Sequence, residues 1–340
     1  MRVLQVIDKL NVGGAERIFV TLSNLLFQKN INVDVLIFIN NGKLQQDLNN
    51  KINIIDFQRQ SKFSFKNAKQ LSLILKNYDI IHTHMRHVFR YVKVVSLVFN
   101  VKTKIILHDH SSNTKKIPFL LNSFLSPKYY IGVSNNLKEW AISTLNIQKK
   151  FCFLLHNVVV SIDNCDEVKK KEGAVVVGNI KPDKNQLFAI QLLPQLNTSL
   201  TIIGQIQDID YFNSLIREIE KLSLQNKVTF IHNEFNVQKR LNNFQFALST
   251  SIRESGPLVL IEFVAQSLPF IAFNTGEISL ILNKDLPNFF INNFEQQKWI
   301  EKINNLKENN IDLKSIYDKN FAPNLYLQKC LNIYKEILNS

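Results

Sequence analysis

The sequence predicts an α/β protein made of two doubly wound, parallel-sheet domains in tandem. Three observations lead there. Residues 1–160 alternate short β-rich runs with helical stretches, and residues from 174 onward repeat that alternation. Between them lies Ser161–Gly173, SIDNCDEVKKKEG, which is polar, charged and without apolar period, and reads as a linker. Strands alternating with helices are the pattern of βαβ units feeding a parallel sheet. A chain of 340 residues has room for two domains of ordinary size.

The elements follow in order. In the first half, strands are expected at Val3–Ile7, Val33–Ile39, Ile52–Asp56, Asp79–His82, Lys104–His108, Tyr129–Val133 and Phe153–His156. Helical stretches fall between them at Ala15–Gln28, Ala68–Lys76 and Asn135–Thr144. In the second half, strands are expected at Ala174–Val177, Leu200–Ile203, Val228–Ile231, Phe246–Ser249 and Phe270–Phe273. Helices are expected at Lys184–Leu193, Asp208–Leu222, Pro257–Gln266 and Phe294–Lys307, and a last one at Leu325–Leu338.

Composition narrows the class. Hydrophobic residues make up 45% and charged residues 20%, a soluble globular balance. No apolar run reaches the length of a membrane span. The start, MRVLQVIDKLN, reads as a first strand rather than a secretory signal. Cys152, Cys165 and Cys330 have no metal-ligand spacing and are expected as plain thiols in a reducing cytoplasm. Charge is uneven: residues 1–160 hold 22 Lys/Arg against 8 Asp/Glu, whereas residues 161–340 hold 19 against 20. A basic half of this kind suits an anionic partner: a membrane surface, a lipid pyrophosphate or a nucleic acid. The stretch Phe57–Lys69, FQRQSKFSFKNAK, interleaves cations with aromatics as interfacial segments do. Helix-turn-helix, RNP and zinc-finger patterns are absent, so nucleic acid is not expected as a partner.

The richest chemistry lies in IRESGPLVLIEFVAQSLPFIAFN, residues 252–274. Glu254 and Glu262 are eight positions apart, separated by Ser-Gly-Pro and an apolar run. Gly256 and Pro257 suit a helix start, with Pro at the first helical position. Glu262 then sits two turns in among Leu260, Ile261, Phe263 and Val264, where a carboxylate needs a hydrogen-bond donor to be buried. Sugar hydroxyls supply such donors, and the open amides of a helix start suit a phosphate.

This segment resembles the E-x7-E element of the family 4 glycosyltransferases, retaining enzymes of the GT-B fold, in which two Rossmann-like domains face across a cleft. Ser251, Glu254, Glu262 and Pro269 match that element, while Phe263 and Ser267 replace two usual small residues. The resemblance implies that Glu254 contacts the transferred sugar and Glu262 the nucleotide ribose, with Gly256, Leu258 and Arg253 beside the donor. It implies an acceptor-side domain over 1–160, rejoined by the helix 325–340, and a nucleotide-sugar domain over 161–324.

Other segments extend the likeness. VGNIKPDKNQ, residues 177–186, resembles the family's V-G-R-x-x-x-x-K-N-Q element, which places Lys184 on the donor diphosphate. Asn179 stands where an arginine is usual, with Lys181 or Arg253 as alternative replacements. Asp183 and Gln186 also have the spacing of a capping box. Asn11–Arg17, NVGGAER, resembles the family's opening loop, so Gly13 and Gly14 are expected to approach the donor or acceptor closely. The H-x-H pairs His82/His84 and His108/His110 follow predicted strands; the resemblance implies that His108 or His110 faces the sugar, and spacing does not say which. Gly132–Ser134, His156–Asn157 and Phe230–Ala247 match further family segments in order.

The function implied is transfer of a sugar from a nucleotide-diphosphate donor to a saccharide or lipid-linked acceptor, in bacterial surface polysaccharide or lipopolysaccharide biosynthesis. No cofactor or metal is expected: the histidine pairs lack a completing cysteine or carboxylate. Two alternatives stand beside it, a nucleotide-sugar epimerase of the same fold and a non-catalytic nucleotide-sugar-binding homologue. The expected location is the cytoplasm, with peripheral contact on the inner face of the membrane.

Overall fold

A computed structural model describes residues 1–39, 42–59, 61, 64–111, 114, 125–162, 171–234, 236–306 and 311–340. Cys165 and most of the expected linker lie outside the described residues. The chain divides into two compact units, Met1–Val158 with Pro323–Ser340, and Val159–Ala322.

The first unit holds β1 (Arg2–Ile7), α1 (Gly14–Gln28), β2 (Asn32–Ile37), β3 (Asn53–Asp56), α2 (Phe65–Leu75), β4 (Ile80–His84), α3 (Arg86–Val98), β5 (Lys104–Asp109), β6 (Tyr129–Gly132), α4 (Asn135–Leu145) and β7 (Cys152–Leu154). Its strands form one parallel sheet in the order β3-β2-β1-β4-β5-β6-β7. Helices cover both faces. Leu4, Val6, Leu36 and Ile81 pack with Leu71, Val88, Val92 and Trp140 on one side. Ile7, Val35 and Ile37 pack with Phe19 and Val20 of α1 on the other. Burial on both faces explains why these strands read as nearly unbroken apolar runs. Buried polar residues interrupt those runs at Gln5, fully buried at the centre of β1, and at His82, Thr83, His84, His108 and Asp109 toward the ends of β4 and β5.

The second unit holds β8 (Ala174–Val177), α5 (Gln186–Leu192), β9 (Leu200–Ile203), α6 (Ile209–Lys221), β10 (Val228–Ile231), α7 (Val237–Leu241), β11 (Phe246–Ser249), α8 (Leu258–Ala265), β12 (Phe270–Phe273), α9 (Glu277–Asp285), β13 (Phe290–Ile291), α10 (Gln296–Asn305) and α11 (Leu313–Phe321). Its sheet is also parallel, in the order β10-β9-β8-β11-β12-β13. The last helix, α12 (Pro323–Leu338), belongs to the first unit.

Both sheets reverse direction of growth beside their first strand, at β1/β4 and at β8/β11. Such switch points leave a crevice at the carboxyl ends of the strands, where ligands bind in this architecture. The principal additions to the expected elements are α3, α7, α9, β13 and α11. Two local expectations are corrected. Asp183 and Gln186 form no capping box: Pro182–Lys184 is a single 3-10 turn, and α5 starts after Asn185, whose left-handed φ of 50° carries no side-chain cap. Pro257 is not the first helical residue but the N-cap of α8, at φ −64° and ψ 111°.

Candidate active site

In the first unit the histidines meet at the carboxyl ends of β4 and β5. Strand alternation puts His82 and His84 on one face of β4, and the register sets His84 against His108. His82 stacks on His84, and His84 on His110, with ring centroids 4.7 and 5.2 Å apart. The nitrogens form two chains that meet at Gln5. The Gln5 amide donates to the Tyr334 hydroxyl at 3.1 Å, and that hydroxyl lies 2.6 Å from Nδ1 of His82. Nε2 of His82 is 3.1 Å from Nδ1 of His108. In the second chain, Nε2 of His84 is 2.9 Å from Gln5 Oε1, and its Nδ1 is 3.1 Å from Nε2 of His110. An amide oxygen only accepts, so His84 carries its proton on Nε2 and takes one from His110.

Burial, reinforced by the neighbouring rings, holds His84 and His108 well below the ordinary histidine range and pushes His82 down to about 3. Burial alone pushes His110 down to about 3. All four are therefore neutral near pH 7. Nitrogens of His82, His84 and His108 lie within 4.8 Å of one another, close enough to share an ion. Each of the three already has a hydrogen-bond partner in the network, so the arrangement fits a neutral imidazole network as it stands. Between the expected candidates the difference is small: His108 is fully buried and bonded to His82, whereas His110 keeps some of its surface open although its Nδ1 is enclosed.

Asp109, between them in sequence, faces the other way. It is buried and takes hydrogen bonds from Arg86 Nε at 2.7 Å and Tyr130 at 2.9 Å. Met85, at φ 75° and ψ 142°, turns the chain between β4 and α3 so that Arg86 reaches it. That backbone geometry costs a non-glycine residue about 1–3 kcal/mol.

Gly13 and Gly14 stand at the start of α1, as expected. Gly13 is extended, at φ −158°, and a Cβ on it would lie 2.4 Å from Oε2 of Glu16. The space above that glycine is thus filled by Glu16, folded back toward its own helix start; burial raises its pKa and its own backbone amide opposes the rise.

In the second unit three loops at the carboxyl ends of β8, β11 and β12 are joined. The amide of Ile252 donates to the Asp183 carbonyl at 2.8 Å, and the Thr250 hydroxyl to the Lys184 carbonyl at 3.0 Å. The Thr275 hydroxyl bonds the Ile252 carbonyl at 3.3 Å. These contacts bring Lys184 Nζ within 2.5 Å of Glu254 Oε1, seventy positions away in sequence. Both side chains keep access to solvent, with relative exposures of 20% and 15%.

Two glycines make room for the pair. Gly178, at φ 153°, lies along the Lys184 side chain. Gly276, at φ 83°, lies where a Cβ would come 2.9 Å from Glu254 Cβ and 3.0 Å from Pro257. Gly276 was not among the expected site residues; its signal was a glycine three positions after the strand ending at Phe273. Glu262 is buried on α8, one turn beyond Leu258 and on the same face. Leu258 opens α8, and its first-turn amides have no intrahelical acceptor. Gly256 and Asn179 are partly exposed and Arg253 is exposed. The Asn179 carbonyl accepts from Gln186 at 3.0 Å. Lys181 and Arg253 sit on the two loops joined by the Ile252–Asp183 bond, so either could stand in for the missing arginine.

Comparison with known proteins agrees with the fold. Residues 12–160 match the family described as Glycosyltransferase Family 4, and residues 162–322 match Glycosyl transferases group 1. The chain is 24% identical over 300 residues to the capsular polysaccharide biosynthesis glycosyltransferase CapH of Staphylococcus aureus, covering 82% of this chain and 83% of that one. It is 25% identical over 305 residues to the amylovoran biosynthesis glycosyltransferase AmsD of Erwinia amylovora, with the same coverage, 82% and 83%. Anabaena HepE, solved in complex with UDP and glucose, superposes with a TM-score of 0.82 at 16% identity, over 98% of this chain and 99% of HepE. The two family matches account for nearly the whole chain, and it belongs to the family 4 glycosyltransferases of GT-B fold.

Proposed function

We propose that this glycosyltransferase moves a hexosyl group from a nucleotide-diphosphate sugar to a saccharide or lipid-linked acceptor, with retention, in the synthesis of a bacterial surface polysaccharide. The observation that carries the reading is the Lys184–Glu254 contact at the β8/β11 switch point. A cation held there is placed for a diphosphate, and the first-turn amides of α8 add donors. As the diphosphate draws Lys184 to itself, Glu254 is released to accept a hydroxyl of the transferred sugar. Glu262 holds the ribose, and His110 meets the sugar.

In the step itself, the bond from the anomeric carbon to the diphosphate oxygen breaks. A bond to the acceptor oxygen forms on the same face, and the leaving diphosphate takes the acceptor's proton. Lys184 stabilises the charge that develops on that diphosphate. No metal is required in this scheme. The names of CapH and AmsD, both polysaccharide-building transferases, support the choice of acceptor class. The basic first half supports work at an anionic membrane on the cytoplasmic side.

The test is a thermal-shift panel of nucleotide sugars, followed by product analysis of the anomeric configuration with the donor that binds. An inverted product overturns retention. Binding without transfer to any acceptor moves the chain to the non-catalytic alternative.

A further inference from the structure

The first unit carries a second built feature, at the opposite end of its sheet from the histidines. A cavity of about 320 Å³ opens where α3 ends and β5 and β6 begin. Lys93, Lys102, Lys104 and Lys128 line it together with Ser96 and Thr103, and among the described residues no carboxylate does. The groove beside it shares Lys102 and Lys104 and adds Lys76 and Leu338, with Asp79 as the one acidic group among the described residues. Lys104 already bonds the Tyr129 hydroxyl at 3.3 Å and a backbone oxygen of Ser340, and Lys128 lies 4.9 Å over the Tyr129 ring. These contacts fix two of the four cations at the cavity wall. The carboxyl end of α3 contributes about half a negative charge there, which four lysines outweigh.

The rim of the cavity is apolar and open. Val94, Leu97 and Val98 are 43%, 55% and 63% exposed, and their i, i+3, i+4 spacing puts them on one face of α3. Leu97 lines the cavity itself, next to Lys93. On α2, which packs beside α3, Phe65 and Leu73 are exposed as well. A soluble phosphate would account for the lysines but not for this stripe of uncovered aliphatic side chains. A lipid surface accounts for both, since anionic headgroups attract the cations and the interface accepts the apolar face.

We infer that the α3–β5–β6 corner docks the protein on an anionic phospholipid membrane, with a lipid phosphate in the lysine cavity and Val94, Leu97 and Val98 at the headgroup–acyl boundary. Its purpose rests on the proposed lipid-linked acceptor; its physics does not. β5 runs from Lys104 in the cavity to His108 in the histidine network, and five residues of strand span roughly 13 Å. Docking at one end thus leaves the histidine end of the sheet uncovered by the lipid contact.

Sedimentation of the full chain with phosphatidylglycerol-containing vesicles tests this, against pure phosphatidylcholine. Binding to the anionic vesicles alone, released by rising salt, is expected. The double variant Lys93→Glu/Lys102→Glu should partition at least ~25-fold more weakly, since each lysine near such a surface is worth about fivefold. Leu97→Asn/Val98→Asn should also reduce partition, with the charge unchanged. Lys227→Glu/Lys239→Glu, the same charge change on the second unit, should alter it less than about twofold.

Equal losses in the two charge variants would mean diffuse attraction and overturn the dock. So would competition by soluble glycerol phosphate with no vesicle binding, which would mark a free-anion site. Nucleotide affinity measured without vesicles should match in wild type and Lys93→Glu/Lys102→Glu. If no nucleotide binds either protein, the transferase reading fails while the docking result stands on its own.

Discussion

The hydroxyl of Tyr334, on the last helix, lies 2.6 Å from Nδ1 of His82 on β4, 252 positions earlier in the chain. That contact connects α12 to the histidine network and, through Gln5, to the centre of the sheet. Tyr334→Phe would leave the Gln5 amide and the His82 nitrogen without this partner. Each buried polar group so exposed costs about 1–3 kcal/mol. Stability should therefore fall by at least ~2 kcal/mol in urea unfolding. A variant as stable as wild type would show that the network adds little to the seating of α12.

Acid should weaken the folded state before the carboxylates titrate. An unfolded histidine binds its proton below about 6.5. His82 and His110, pushed down by burial to about 3, bind theirs only much lower. Between these values the unfolded chain holds more protons, so stability rises with pH and is lost as pH falls below about 6.5. Asp8, whose pKa is lowered mainly by its contact with His87, adds a loss only below the ordinary range of an aspartate. The melting temperature should therefore drop already between pH 7 and pH 5, and less steeply in His82→Gln. A flat profile across that interval would contradict neutral burial of the imidazoles.

Gly276→Ala should damage fold and turnover together. Its φ of 83° suits glycine, and the added methyl would press on Glu254 and Pro257 at about 3 Å. A loss of ~1–3 kcal/mol is expected from strain and contact together. Because the clash falls on Glu254, turnover should fall further than the folded fraction does. Turnover that simply tracks the folded fraction would remove Glu254 from the explanation.

Much of this was legible in the sequence because parallel strands buried on both faces leave an apolar signature that little else produces. The spans of β8, β9, β10, β11 and β12 match the expected ones residue for residue. Missed elements have physical reasons. In α3 the charged start RHVFRYVK and the outward Val94, Leu97 and Val98 blur the helical period. β13 has only two residues. In the stretch Phe57–Lys69, expected as interfacial, residues 60, 62 and 63 lie outside the described residues, and the sequence joined others that the fold separates. Phe57 is buried, and Arg59 stacks on Phe38 and Tyr91 while pairing with Asp8. Phe65, at the start of α2, is exposed. For the site, sequence reasoning named Lys184, Glu254 and Glu262 as candidates but not what fixes them. The Ile252–Asp183 bond, the Gly276 contact and the Tyr334–His82–His108 chain each join distant segments, and spacing carries no record of such meetings.

Glu262→Gln tests the ribose assignment. It keeps the shape of the side chain and removes the charge, and hydrogen bonds to charged groups are worth about 1.5–3 kcal/mol. Nucleotide affinity by isothermal titration should fall roughly 10- to 100-fold. Unchanged affinity would remove Glu262 from the donor site.

Glu254 should behave in the opposite way. In the resting protein its carboxylate holds Lys184 at 2.5 Å. A donor diphosphate must win that cation away, so Glu254 competes with the ligand for Lys184. Glu254→Ala removes the competitor, and nucleoside diphosphate should bind as tightly as to wild type or more tightly. The same change removes the acceptor proposed for the sugar hydroxyl, so turnover should fall about 10- to 100-fold. Lys184→Ala, by contrast, should weaken diphosphate binding and turnover together, while affinity for the bare nucleoside is kept. The pair of variants thus separates two accounts of the 2.5 Å contact. If Glu254→Ala and Lys184→Ala lost diphosphate affinity equally, the contact would be a structural tie that shapes the loop. The exchange of partners proposed for the donor would then have no support.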